Sequence, residues 1–144
     1  MKVVYGETSA VLAWLLGDEN RLRALRIINS ADRVVTSILT LIEAKRGILR
    51  AANERRVTGI EASRLKEVLA RTATAWELLE ITPEIHIRAG EPFPVEPVRT
   101  LDAIHLATAL QFDRIFPGIS VLTFDERILV NLEPLGLLRA RTHV

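Results

Sequence analysis

The chain has 144 residues, 49% hydrophobic and 26% charged, with a formal net charge of +1. That is the size of one domain, 1–144, with enough apolar material for a core and no basic excess of the kind that coats nucleic acid indiscriminately. The absence of cysteine excludes disulfides, zinc–thiolate sites and cysteine nucleophiles.

Short β-like runs alternate with longer helical patterns. Lys2–Tyr5 reads as a first strand. Ser9–Leu16 follows as a short apolar helix. With Trp14 it carries more hydrophobic surface than so short a helix easily buries alone; a protein partner, a homodimer contact and the core all fit it. Its apolar run is far below the roughly 20 residues of a membrane span and does not read as a signal peptide, so no membrane association and a cytoplasmic protein are expected. Glu19–Ile28 carries Leu22, Leu25 and Ile28 at helical spacing. After a strand at Arg33–Thr36, Ser37 is placed to cap a helix with Leu39, Ile42 and Leu49 inward. Thr58 and Glu61 have capping-box spacing for a helix reaching to Ala75 or so. A strand at Leu78–Ile81 precedes a short helix with Pro83 in its first turn. Gly90–Val98, with three prolines, is a loop delivering a helix capped by Thr100 and running through Phe112. Strands at Ser120–Phe124 and Leu137–Arg141 follow. This alternation predicts an α/β fold with a largely parallel central sheet covered on both faces. The strand order is not legible.

In such sheets, sites collect beyond the carboxyl ends of strands, and four acids are placed to reach that edge. Glu7 directly follows the first strand, in YGETSAVLAWLL, and Asp125 follows the fourth, in VLTFDER. Asp102 and Glu43 interrupt apolar helical faces, in RTLDAIHLATAL and SILTLIEAKRGIL. A buried carboxylate is costly unless paired or bound to a metal, and four converging acids repel one another unless a divalent cation offsets the charge. Each acid also has a local explanation. Glu7 fits a turn before a helix, Glu43 an ion pair with Arg46, Asp102 the positive end of its helix and Asp125 a helix cap.

Oxygen ligands alone point to a hard cation, Mg²⁺ or Mn²⁺, rather than zinc. His86, His105 and His143 lack zinc-like spacing; His105, one turn after Asp102, suits a supporting role. All but three of the 19 basic residues are arginine, which suits phosphate contacts, although genome bias or surface ion pairs give the same composition. Arg99 and the Lys45–Arg46 pair are candidates for steering a nucleic-acid backbone, or solvated surface charges. No P-loop, dinucleotide fingerprint or nucleophile elbow is present, and the aromatic content of 5% is too low for a base-stacking platform.

The acid–Thr–Ser after strand one, the Ser37-to-Glu43 pattern, RTLDAIHLATA and LTFDER appear in that order. Together they resemble the PIN domain, and especially the VapC-type toxins of toxin–antitoxin pairs, from about Val3 to Leu138. The resemblance implies a three-layer α/β/α sandwich and a Mg²⁺- or Mn²⁺-dependent endoribonuclease leaving a 5′-phosphate and a 3′-hydroxyl. It also implies a homodimer inhibited by a cognate antitoxin protein. It assigns the acidic, metal-holding and catalytic positions to Glu7, Glu43, Asp102 and Asp125, with Thr123 and Ser9 in support. One departure is that the family's usual first acid is Asp, where this chain has Glu7. The carboxylate then sits one methylene further out, which is consistent with reduced activity or a preference for Mn²⁺, since Mg²⁺ is strict in geometry, while the kept charge and position still point to an active enzyme. The alternative is a PIN-like binding scaffold silenced by that change. A phospho-receiver domain is disfavoured because no lysine follows Lys66, and a flap nuclease because 144 residues leave no room for its helical arch.

Overall fold

A computed structural model describes residues 1–142. The side chains of β1 (Val3–Gly6) alternate between two apolar layers, and this alternation sets the architecture. Val3 and Tyr5 enter one core cluster and Val4 the other, so β1 is covered on both faces. The chain continues through α1 (Thr8–Leu16), α2 (Arg21–Ser30), β2 (Arg33–Ser37), α3 (Ile38–Asn53), α4 (Gly59–Ala73), β3 (Glu77–Leu79) and α5 (Pro83–Ala89). It ends with α6 (Thr100–Ile115), β4 (Ser120–Leu122), α7 (Glu126–Leu132) and β5 (Leu138–Arg139). Among the described residues no helix is long and apolar enough to cross a membrane.

All strand pairings are parallel, in the order β3-β2-β1-β4-β5. The chain therefore builds outward from β1 in one direction, returns, and builds outward in the other. The crevice between the carboxyl ends of β1 and β4 is the point where the order reverses, which is where open α/β sheets place ligands. Residues of α6 and α7 pack with Val3, Tyr5 and Val35 on one face. On the other face α1 joins α2 in one cluster and α3 and α4 in a second. The expected three-layer α/β/α sandwich is the observed one.

Local signals hold at most helix starts. Ser37 accepts from Leu39 N, Thr58 and Glu61 form the reciprocal capping box, and Pro83 opens α5. Thr100 does not cap α6: Arg99 occupies the cap position without a side-chain bond, and Thr100 is the first helical residue. The carboxylate of Asp102 in the first turn serves the helix's positive end instead.

The inward faces of two helices differ from expectation. Leu39 is buried, but Ile42 and Leu49 are 54% and 42% exposed. The buried face of α3 is lined by Ala44, Gly47, Ile48 and Ala51, because α1 approaches too closely for large side chains: a Cβ on Gly47 would stand 2.7 Å from Leu12 Cδ2. In α2, Ala24 and Ile27 are buried and Ile28 packs, partly buried, against the same cluster, while Leu22 is exposed. Trp14 is not a free apolar surface. It is half-buried, joins both clusters on its face and stands 6.2 Å from the ring of Trp76.

The α1–α3 contact yields a stability prediction. Gly47→Val forces a branched side chain into Leu12 and should destabilise the protein by about 1–3 kcal/mol, read as a lowered midpoint in a thermal melt. An unchanged midpoint would mean that α1 and α3 do not pack this closely.

Candidate active site

Glu7 is the residue through which β1 passes into α1, and it is 4% exposed. Its carboxylate folds back to cap α1: Oε2 accepts from Ser9 N at 3.0 Å. Oε1 accepts from Ser9 Oγ and from Thr123 Oγ1, each at 2.5 Å. Both hydroxyls also accept from the β4–α7 segment, Ser9 Oγ from Phe124 N at 2.9 Å and Thr123 Oγ1 from Asp125 N at 3.1 Å. One buried carboxylate thereby ties the ends of β1 and β4 together and fixes where Asp125 begins. Glu7 caps the helix after its turn and also stands among the acids of the carboxyl edge.

Glu43 is reached from the other side by His105. His105 is 2% exposed, and its Nε2 lies 2.6 Å from Glu43 Oε1. Thr8 Oγ1 donates to the same oxygen at 2.6 Å. A carboxylate only accepts, so Nε2 is the donor to Glu43, and Nδ1 lies 2.9 Å from the Tyr5 hydroxyl. Burial, with the charge of Glu7 second, raises the pKa of the Tyr5 phenol, which keeps it a donor. Burial alone would raise Glu43 as well, but the bonds from His105 and Thr8 outweigh it and hold the carboxyl below its ordinary value. Glu43 forms no ion pair with Arg46 among the described residues. Thr8 follows Glu7 in the motif and was legible only as part of it. Tyr5 gave no functional signal, since an aromatic residue in a strand reads as core.

Asp102 is different. It is buried in the first turn of α6, and its Oδ2 is enclosed without a hydrogen-bond partner. The nearest cation is the exposed Arg99, whose Nε stands 3.7 Å from Oδ2, within ion-pair reach but too far for a hydrogen bond. Burial first, then the charge of Asp125, raises the carboxyl's pKa against the opposing pull of Arg99. Asp125 caps α7 by accepting from Arg127 N with Oδ1.

All four acids line one cavity of about 760 Å³, together with Thr8, Ser9, Leu12, Val98, Arg99, Thr100 and Leu101. The Gly90–Val98 loop does bring the start of α6 to this rim. Lys45 and Arg46 are exposed on α3 and do not line the cavity. Among the described residues no three His, Asp or Glu side chains stand close enough to hold one ion without moving; His143 lies outside the described residues.

Comparison with known proteins agrees with this fold. Ribonuclease VapC35 of Mycobacterium tuberculosis is 35% identical over 105 residues, covering 73% of this chain and 70% of that protein. Among solved structures, the sarcin–ricin loop cleaving toxin VapC20 of Mycobacterium tuberculosis superposes with a TM-score of 0.67 at 20% identity, over 96% of this chain and 98% of that one. A toxin–antitoxin complex from Klebsiella pneumoniae gives 0.64 at 16% identity, over 90% and 92%. Residues 4–131 match the PIN domain, and the chain belongs to the PIN domain family.

Proposed function

We propose that this chain is a divalent-metal-dependent endoribonuclease, the toxin of a toxin–antitoxin pair. The observation that carries the reading is the enclosed, unpartnered Oδ2 of Asp102, a residue that feels the charge of Asp125 and lines one cavity with Glu7, Glu43 and Asp125. Four carboxylates from four elements, one with an orphaned oxygen, form a donor set of hard oxygens that suits Mg²⁺ or Mn²⁺. Mg²⁺ is commonly held by one or two carboxylates and several waters, so acids that stand apart around a shared cavity fit it. Asp102 and Asp125 would hold the ion, with Glu7 and Glu43 behind them. When bound, a divalent ion supplies Lewis acidity, offsetting charge on the scissile phosphate and acidifying a nearby water.

The chain's own residues do the rest. Glu43, fixed by His105 and Thr8 and held ionised, suits orienting a water more than removing its proton. Ser9 and Thr123 keep the Glu7 carboxylate in one position. Arg99, 70% exposed at the cavity rim beside Asp102, is placed to meet an incoming phosphate. The VapC and toxin–antitoxin relatives support an RNA substrate and an antitoxin partner. Ile42, next to Glu43, and Leu101, on the cavity lip, leave apolar surface exposed for that partner.

A second reading, a PIN-like scaffold without activity, is favoured by one observation: both oxygens of Glu7 are already bonded within the protein. RNA cleavage in Mg²⁺ and in Mn²⁺ separates the two readings. Under the enzyme reading Glu7→Asp retains or raises cleavage, since the shorter acid still fills the position, and Glu7→Gln loses at least about tenfold, a loss of about 1.4 kcal/mol in transition-state stabilisation. Equal activity of Glu7→Gln and the parent protein would leave Glu7 as a helix cap only.

Asp102→Asn gives a separate outcome. Because the charged form of Asp102 is disfavoured in the fold, removing the charge should raise the metal-free melting temperature at neutral pH by a few degrees. The same change should abolish cleavage and the stabilisation that Mn²⁺ confers on the parent protein. A variant that melts lower in chelator, or is stabilised by Mn²⁺ as fully as the parent, contradicts the assignment.

A further inference from the structure

Beyond Phe124 lies a second recess, of about 380 Å³, lined by Arg23, Arg139, Arg141 and Thr142. The Arg23 guanidinium carbon stands 5.2 Å from the centre of the Phe124 ring, a cation–π contact that holds the side chain over that residue. Phe124 is flanked by Thr123, which bonds Glu7, and by Asp125, and its own N–H is bonded to Ser9. Phe124 thereby connects the Arg23 side of the recess with the segment that leads into Asp125, which lines the carboxylate cavity.

Its charge is unbalanced. None of the three arginines forms an ion pair among the described residues, although the chain as a whole carries a formal net charge of only +1. Three exposed guanidiniums around one hollow repel one another, and an anion between them offsets that repulsion. Their planar forks match the paired oxygens of a phosphate.

The sheet sets the spacing. Arg139 on β5 is in register with Val121 on β4, and Leu122 with Gly6 on β1. Two inter-strand steps place β5 on the order of 10 Å from β1, with Arg139 level with Tyr5, two residues before Glu7. A separation of that order is within the span of a short single strand.

We propose that Arg23, Arg139 and Arg141 form a binding site for an RNA backbone phosphate flanking the cleavage point. The identity of the polymer rests on the ribonuclease reading; the anion site rests on the arginines. It sets the path of the strand across the carboxyl edge of β1, β4 and β5, and it contributes affinity without touching the reacting atoms.

The test is the double substitution Arg23→Ala, Arg139→Ala, with Arg139→Ala alone as a second variant because Arg139 makes no contact with the carboxylate cavity. Circular-dichroism melts confirm that each folds. Binding of a labelled single-stranded RNA is followed by fluorescence anisotropy in chelator over a salt series, and cleavage of a long RNA and of a dinucleotide is measured with Mn²⁺. The double variant should bind the labelled RNA about tenfold more weakly at low salt, with the slope of log K against log salt reduced by about 0.7 per arginine. On the long RNA, KM should rise while kcat holds; on the dinucleotide, too short to reach the recess, neither should change. Unchanged RNA affinity and salt slope in both variants overturn the proposal even where the parent protein cleaves RNA. A parent protein that binds RNA through these arginines but cleaves nothing leaves the anion site standing and removes the ribonuclease reading. A parent protein that neither binds nor cleaves RNA removes both.

Discussion

Carboxylates repel one another, and this fold holds four of them around one cavity. What makes that tolerable is a division of labour among their partners. The charge of Glu7 is met by two hydroxyls and a backbone amide. That of Glu43 is met by a buried imidazole and a threonine. Asp102 has an enclosed oxygen with no bond, and its one ion-pair neighbour among the described residues is a solvent-exposed arginine. The unfavourable charge is thus concentrated on one side chain.

The sheet order is what brings these groups together. Parallel strands return every carboxyl end to the same edge, and the reversal between β1 and β4 opens the crevice there. Thr123 then locks the two strand ends by bonding Glu7 from one side and the backbone of Asp125 from the other. On the opposite wall, the Tyr5–His105–Glu43 chain runs from the central strand through α6 to α3. Three separate elements are held in register by one buried and one part-buried polar bond, and satisfied polar networks of this kind favour a single arrangement.

Much of this was legible in the residues. Acids that follow strands or break apolar helical faces violate the ordinary pattern, and such violations mark sites. The alternation of strands and helices carried the layer architecture, and Ser37, Thr58 and Pro83 carried their helix starts. The misses share a cause. On α2 and α3 helical spacing points the largest apolar residues inward, yet close helix packing selects Ala24, Ala44 and Gly47 and leaves Leu22, Ile42 and Leu49 outside. Tyr5 and Thr8 were hidden because their role depends on a histidine about 100 residues away in the chain, and pairing at that separation leaves no local spacing to read. The strand order, and with it the recess of Arg23 and Arg139, is likewise a property of topology.

We propose the charge on Asp102 and Asp125 as the seat of a divalent ion. Anomalous diffraction from crystals soaked in Mn²⁺ tests it most directly, because manganese is located by its own scattering without reference to activity. One dominant peak is expected in the cavity between Asp102 and Asp125, at coordination distance from the Asp102 carboxylate. A cavity with no anomalous peak at saturating Mn²⁺, or a peak bound only by residues outside it, would contradict the account.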